Sequence, residues 1–141
     1  MVDRSMNYGR PLIARFVRGL DVKVAVDLGP GQGDDMRIVS SAHPHARIVG
    51  IEAFGPTADG LRAAGFEVAS ADVERDRLPF EDSAVDLVVA NQLFEHIKEI
   101  FWVLHECARV CGSEAASSSA SRTWPRSTTA CSLPLAGSRV N

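Results

Sequence analysis

Apolar and polar positions alternate between two periods along the first 111 residues of the chain. Leu12, Ile13, Phe16, Val17 and Leu20 fall at helical spacing within residues 9–20, and Pro11 suits a first helical turn. Residues 22–28, V-K-V-A-V-D-L, form a nearly continuous apolar run. That pattern predicts a strand buried on both faces of a parallel sheet. The same reasoning gives strands at 47–52, 66–71 and 85–90, and helices at 34–41 and 57–64. A charged loop is predicted at 72–83. A long amphipathic helix is predicted over 93–111, with Leu93, Phe94, Ile97, Ile100, Phe101, Leu104 and Val110 as its core face. Strands alternating with helices predict an α/β fold in three layers, a parallel sheet with right-handed crossovers. The expected strand order is 3-2-1-4, with the sheet incomplete after the fourth strand.

Residues 112–141 lack this periodicity. They are rich in Ser, Ala, Thr and Arg, and Glu114 is their one acid against Arg122, Arg126 and Arg139. The chain therefore divides into a patterned part, 1–111, and a tail, 112–141, expected to be disordered. Because the net charge is −3, the acidic excess lies in the patterned part, and a polyanionic partner such as nucleic acid is not expected. No apolar run approaches the roughly 20 residues of a membrane span, and the first residues lack a signal-peptide core. Three cysteines do not make a disulfide framework. A reduced, cytoplasmic protein is expected.

The candidate chemistry starts at Gly29-Pro30-Gly31-Gln32-Gly33, which follows the first strand and opens a helix. A strand, glycine turn and helix let a ligand approach bare backbone at the end of a parallel strand. Glu52 ends the second strand and Asp72 follows the third, so three points outline a site for an adenosine-type cofactor. Asp27, just before the turn, has two readings. Its carboxylate meets a ligand cation, or it holds the turn by accepting backbone N–H groups.

Four segments in this order resemble the class I S-adenosylmethionine-dependent methyltransferases, in particular the type 11 methyltransferase domain. They are V-D-L-G-P-G-Q-G, I-V-G-I-E, A-D-V-E-R-D-R-L-P-F-E-D-S and V-D-L-V-V-A-N-Q-L-F-E-H-I. The resemblance covers roughly residues 20–111 and implies a Rossmann-like fold. It also implies S-adenosyl-L-methionine as cofactor and methyl transfer to a small-molecule acceptor by in-line displacement. By the same resemblance Gly29, Gly31 and Gly33 leave room for the methionine moiety, with Asp27 near its ammonium. Glu52 would accept the ribose hydroxyls. Asp72 would take the adenine amine, with the Val73 N–H facing a ring nitrogen. Asn91 and Gln92 would face the sulfonium side.

His96 is the candidate for a general base. The bland reading is a half-buried helix residue with one structural hydrogen bond, and the chemistry needs a base only if the nucleophile must lose a proton. His43 and His45 read as loop. Cys107 and Cys111 share a helix face but His105 does not, and no fourth ligand is apparent, so no metal site is expected. A nicotinamide oxidoreductase is disfavoured by the G-x-G-x-G spacing and by Asp34, which would repel a pyrophosphate. A nucleic-acid amino-methyltransferase is disfavoured by Asn91-Gln92-Leu93-Phe94, which lacks that group's Pro-Pro-aromatic run. A non-catalytic truncated product is the alternative from another class.

The tail carries one more expectation. Permissible codons for residues 110–139, read two bases along, give L-R-L-G-G-R-L-I-I-G-V-P-N followed by an amphipathic stretch. This resembles the family's glycine pair and fifth strand. The tail is therefore read as a frameshift, one that leaves the fourth strand an unpaired apolar edge and impairs activity.

Overall fold

The computed structural model describes residues 9–112 and the backbone of 128–132. The elements are α1 (Arg10–Val17), β1 (Val24–Leu28), α2 (Asp34–Ala42), β2 (Arg47–Ile51), α3 (Gly55–Ala63), β3 (Glu67–Ala69), β4 (Leu87–Asn91), α4 (Ile100–Cys111) and β5 (Thr128–Ser132). The sheet order is β3-β2-β1-β4-β5. β1 to β4 are parallel in the order 3-2-1-4 that the sequence predicts.

The continuous apolar runs are explained by cover on both faces. Val26 and Leu28 of β1 and Val88 and Ala90 of β4 pack with Val103, Cys107 and Val110 of α4. Their alternates, Ala25, Leu87 and Val89, pack with Ile13 and Val17 of α1 and Val39 of α2. Period two within each strand thus divides one apolar run between two helical layers. Asp86 ties the strand starts together, its Oδ2 accepting the Lys23 and Val24 N–H groups at 2.9 Å each.

Two expectations change. The helix predicted over 93–111 begins only at Ile100. Glu74 accounts for this late start: its Oε1 accepts the N–H groups of Lys98 and Glu99, supplying from a distant loop the acceptor a helix start needs. The buried stripe of α4 is Val103, Glu106, Cys107 and Val110, whereas Phe101 is 89% exposed and Ile100 and Leu104 are also exposed. The apolar residues of this helix surround it too widely for periodicity to select the face. The second change is at the sheet edge. β4 is not left unpaired: β5 lies antiparallel on it, with Val88 opposite Cys131. The expectation of disorder for the rest of the tail, residues 113–127 and 133–141, lies outside the described residues. Among the described residues no helix is long and apolar enough to cross a membrane.

Candidate functional site

The chain runs outward from β1 to β2 and β3, then returns to place β4 on the other side of β1. The crevice between β1 and β4 at their carboxyl ends is the place where an open α/β sheet binds ligands. Register fixes what stands there. Asp27 pairs with Gly50 and with Val89, and Leu28 with Ile51. The glycine turn, Glu52 and Asn91 therefore follow neighbouring parallel strands at one edge. Asp72 lies three residues beyond the end of β3 at that same edge.

Backbone bonds hold the turn. The Gly29 N–H donates to Ile51 O at 3.0 Å and the Gly33 N–H to Pro30 O at 2.8 Å. Gly31 has φ +54° and a Cβ built on it would meet nothing within 4 Å, so open space lies beside its backbone. Gly33, the cap of α2, has φ +78°. An added Cβ there would lie 2.9 Å from Leu61 Cδ2 and 3.0 Å from Phe66 Cε2. Gly33→Ala is expected to cost about 2 kcal/mol, from left-handed strain plus crowding. Urea unfolding measures this, and an unchanged midpoint would show that the turn relaxes freely.

Asp27 is 3% exposed. Burial first, then the charge of Asp35, push its carboxyl well above the usual range, while Arg10 pulls it down. Its Oδ2 has no hydrogen-bond partner among the described residues. No backbone N–H is found on its carboxylate there, so the turn-holding reading gains no bond. Glu52 is half-buried; its own N–H donates to Ala69 O at 3.1 Å, and its Oε1 accepts the Phe54 N–H at 2.9 Å.

Asp72 makes a local turn. Its Oδ1 accepts the Glu74 N–H at 3.0 Å, and Arg75 Nε lies 3.7 Å from Oδ2. The side chain thus has a local structural role, holding the turn at 72–74. Val73, beside it, is half-buried and packs on the core. Asn91 donates from Nδ2 to Asp35 Oδ2 at 3.0 Å. Gln92 has φ +59°, a left-handed conformation that is uncommon outside glycine and that concentrates at functional sites. His96 is exposed, with Nε2 3.4 Å from Glu95 Oε1, so it is not the half-buried residue of the bland reading. His105 stacks on Trp102, and His43 Nε2 contacts Val17 O at 2.8 Å. Among the described residues no group of three or more His, Cys, Asp or Glu could hold a metal ion.

Sequence reasoning missed Asp35 and the pair Glu106–Arg109. Glu106 is 2% exposed within an apolar helix face, a signal visible only as an acid at a core position. It accepts the Leu78 N–H at 2.8 Å and Arg109 Nη2 at 2.7 Å. Arg109 also donates to Leu78 O and Phe80 O, at 3.0 and 2.8 Å. The two residues clamp the loop after Asp72 onto α4. A cavity of about 470 Å³ lies under this loop, lined by Val24, Arg47 and Arg109 among others. Val24 and Arg47 begin their strands, so this cavity is at the edge opposite the glycine turn and is not the candidate site.

Solved structures share this fold. Coclaurine N-methyltransferase, bound to N-methylheliamine and S-adenosylhomocysteine, is 18% identical with a TM-score of 0.65. The match covers 79% of this chain and 33% of that one. A putative S-adenosyl-L-methionine-dependent methyltransferase from Methanococcus maripaludis is 16% identical with a TM-score of 0.63, covering 77% and 54%. The plantazolicin methyltransferase, in complex with S-adenosylhomocysteine, is 16% identical with a TM-score of 0.61, covering 74% and 43%. The chain thus spans between a third and just over half of these proteins' lengths. No curated protein matches the sequence. The family profile described as "Methyltransferase domain" matches residues 26–116. Its span takes in the glycine turn, Glu52, Asp72 and Asn91, and the chain belongs to the methyltransferase domain family.

Proposed function

We propose that this domain binds S-adenosyl-L-methionine at the carboxyl edge of β1, β2 and β4 and transfers its methyl group to a small-molecule acceptor. The observation that carries this reading is the bare, left-handed Gly31 four residues after Asp27, whose buried Oδ2 has no hydrogen-bond partner among the described residues, at the β1/β4 switch point. A backbone cradle with a carboxylate beneath it suits a ligand having both an extended chain and a cationic end. The bound cofactor supplies an already activated methyl group on a sulfonium. The protein's part is then mainly to position the reactants. Gly29, Gly31 and Gly33 accommodate the methionine moiety. Glu52 takes the ribose hydroxyls, Asp72 and the Val73 N–H face the adenine, and Asn91 and Gln92 border the sulfonium side. His96 remains a candidate to take a proton from an acceptor, and its exposure puts it within reach of solvent. The small molecule N-methylheliamine bound to coclaurine N-methyltransferase supports a small-molecule acceptor, and the acidic balance of the chain agrees with one. The cysteine usage supports a cytoplasmic setting.

The frameshift reading of the tail belongs to this proposal. The family match stops at residue 116, close to the change of composition after Cys111. β5 pairs with the β4 edge, so the unpaired apolar edge expected from a frameshift is not part of this reading. Calorimetric titration of the 141-residue chain with S-adenosylhomocysteine tests the site. Binding is expected to be weak, and methyl transfer is expected only once the shifted frame is restored. Binding without turnover in both forms would favour the non-catalytic alternative. No binding in either form would overturn the cofactor assignment.

A further inference from the structure

The loop that carries Asp72 also caps α4. Residues 72–76 close on themselves. The Arg75 and Asp76 N–H groups donate to Asp72 O at 3.0 and 2.8 Å, and the Asp72 N–H donates to Asp76 Oδ2 at 2.8 Å. Asp72 Oδ1 accepts the Glu74 N–H. From this turn Glu74 reaches the start of α4, where its Oε1 accepts the Lys98 N–H and, at 3.0 Å, the Glu99 N–H. The Glu99 N–H first, then that of Lys98, hold the Glu74 carboxyl below its ordinary range.

That end of the helix has few other restraints. Among the described residues α4 has no side-chain cap of its own and no acid in its first turn. An acid at the third helical position can reach back to the N-cap N–H, but Trp102 stands there. Ile100, Phe101 and Leu104 are exposed, so burial first grips the helix at Val103. Farther along, Glu106 and Arg109 tie α4 to Leu78 and Phe80 of the same loop. The loop is thus strapped to α4 at two places, and the front strap is Glu74. The segment it meets, 92–99, contains the left-handed Gln92 and the exposed His96.

We infer that Glu74 is a positioning residue that couples the adenine side of the cofactor site to the acceptor-side segment 92–99. This rests on the site reading given above. A ligand that engages Asp72 and the Val73 N–H fixes the 72–76 turn, and Glu74 carries that order to Lys98 and Glu99. Cofactor binding then sets the segment bearing Gln92 and His96 before an acceptor arrives.

The test is residue-resolved amide hydrogen exchange of the full chain with and without saturating S-adenosylhomocysteine, in the unaltered protein, Glu74→Ala and Glu74→Gln. In the unaltered protein the ligand is expected to slow exchange at Lys98 and Glu99 about fivefold or more, the lower end of ordinary coupling between sites. In Glu74→Ala that slowing should vanish, while slowing at Gly31 and Gly33 shows that the ligand still binds. Glu74→Gln keeps an oxygen for the same N–H groups and should restore the effect, as a general loosening of the loop would not. Bound ligand that leaves Lys98 and Glu99 unchanged in the unaltered protein would overturn the inference, and this arm needs no variant to fold. So would an alanine variant that keeps the slowing, or a glutamine variant that behaves like the alanine one. Each of these leaves the site reading standing. An unaltered chain that binds no S-adenosylhomocysteine would overturn both.

Discussion

Arg109→Met is expected to lower stability by about 3–5 kcal/mol, the cost of stranding a buried partner charge. Glu106 would keep one close donor, the Leu78 N–H at 2.8 Å, with Arg77 Nε no nearer than 3.9 Å. The carbonyls of Leu78 and Phe80 would lose their guanidinium donor as well. The sign of the pH dependence follows from Glu106. The Arg109 hydrogen bonds hold its carboxyl below the ordinary value of 4.5, against the opposing effect of burial. A lowered folded-state pKa contributes stability that is complete above the ordinary value and is lost as pH falls through the folded-state one. The difference between the two proteins should therefore shrink as pH drops below about 4.5. Replacing both residues, with Glu106→Leu added to Arg109→Met, should recover much of the loss, since it removes the stranded charge. Urea unfolding of the unaltered protein, Arg109→Met, Glu106→Leu and the double variant measures the cycle. A single replacement costing less than about 1 kcal/mol, in the range of an exposed pair, would show that the clamp is not needed.

The clamp also explains the limits of sequence reading here. Val24–Leu28, Arg47–Ile51 and Leu87–Asn91 were legible because strands buried on both faces need unbroken apolar runs. The glycine turn was legible because its backbone angles exclude most side chains. α4 was harder. Ile100, Phe101 and Leu104 look like core by composition, yet the buried face contains Glu106, whose partner is set by tertiary structure. The late helix start depends on Glu74, far away in sequence. Asp35 reads as an ordinary first-turn acid until the sheet brings Asn91 to it. β5 pairs through a segment that has no strand-like periodicity, and its partner, not its own pattern, gives it a place. Local residue patterns thus identify elements whose burial is uniform, and miss polar contacts that join distant segments.

Glu52→Ala is expected to weaken S-adenosylhomocysteine binding far more than Asp72→Ala. On the proposed reading Glu52 accepts two ribose hydroxyls, at about 1.5–3 kcal/mol for each bond to a charged group. Its position is well determined, because the Glu52 N–H is held by Ala69 O and β2 is paired on both sides. Asp72 starts from a weaker position. One of its oxygens already accepts the Glu74 N–H, and Arg75 lies 3.7 Å from the other. A single contact to an adenine amine then adds less, and a folded turn is spent if the side chain is removed. Glu52→Gln keeps the shape and loses the charge, so it should fall between the alanine variant and the unaltered protein. Glu52→Ala also removes the acceptor for the Phe54 N–H at the start of α3, and thermal unfolding of each variant separates that effect from ligand binding. Equal losses for the two alanine variants, or a larger loss for Asp72→Ala, in proteins with unchanged melting would assign the dominant contact to the adenine side instead.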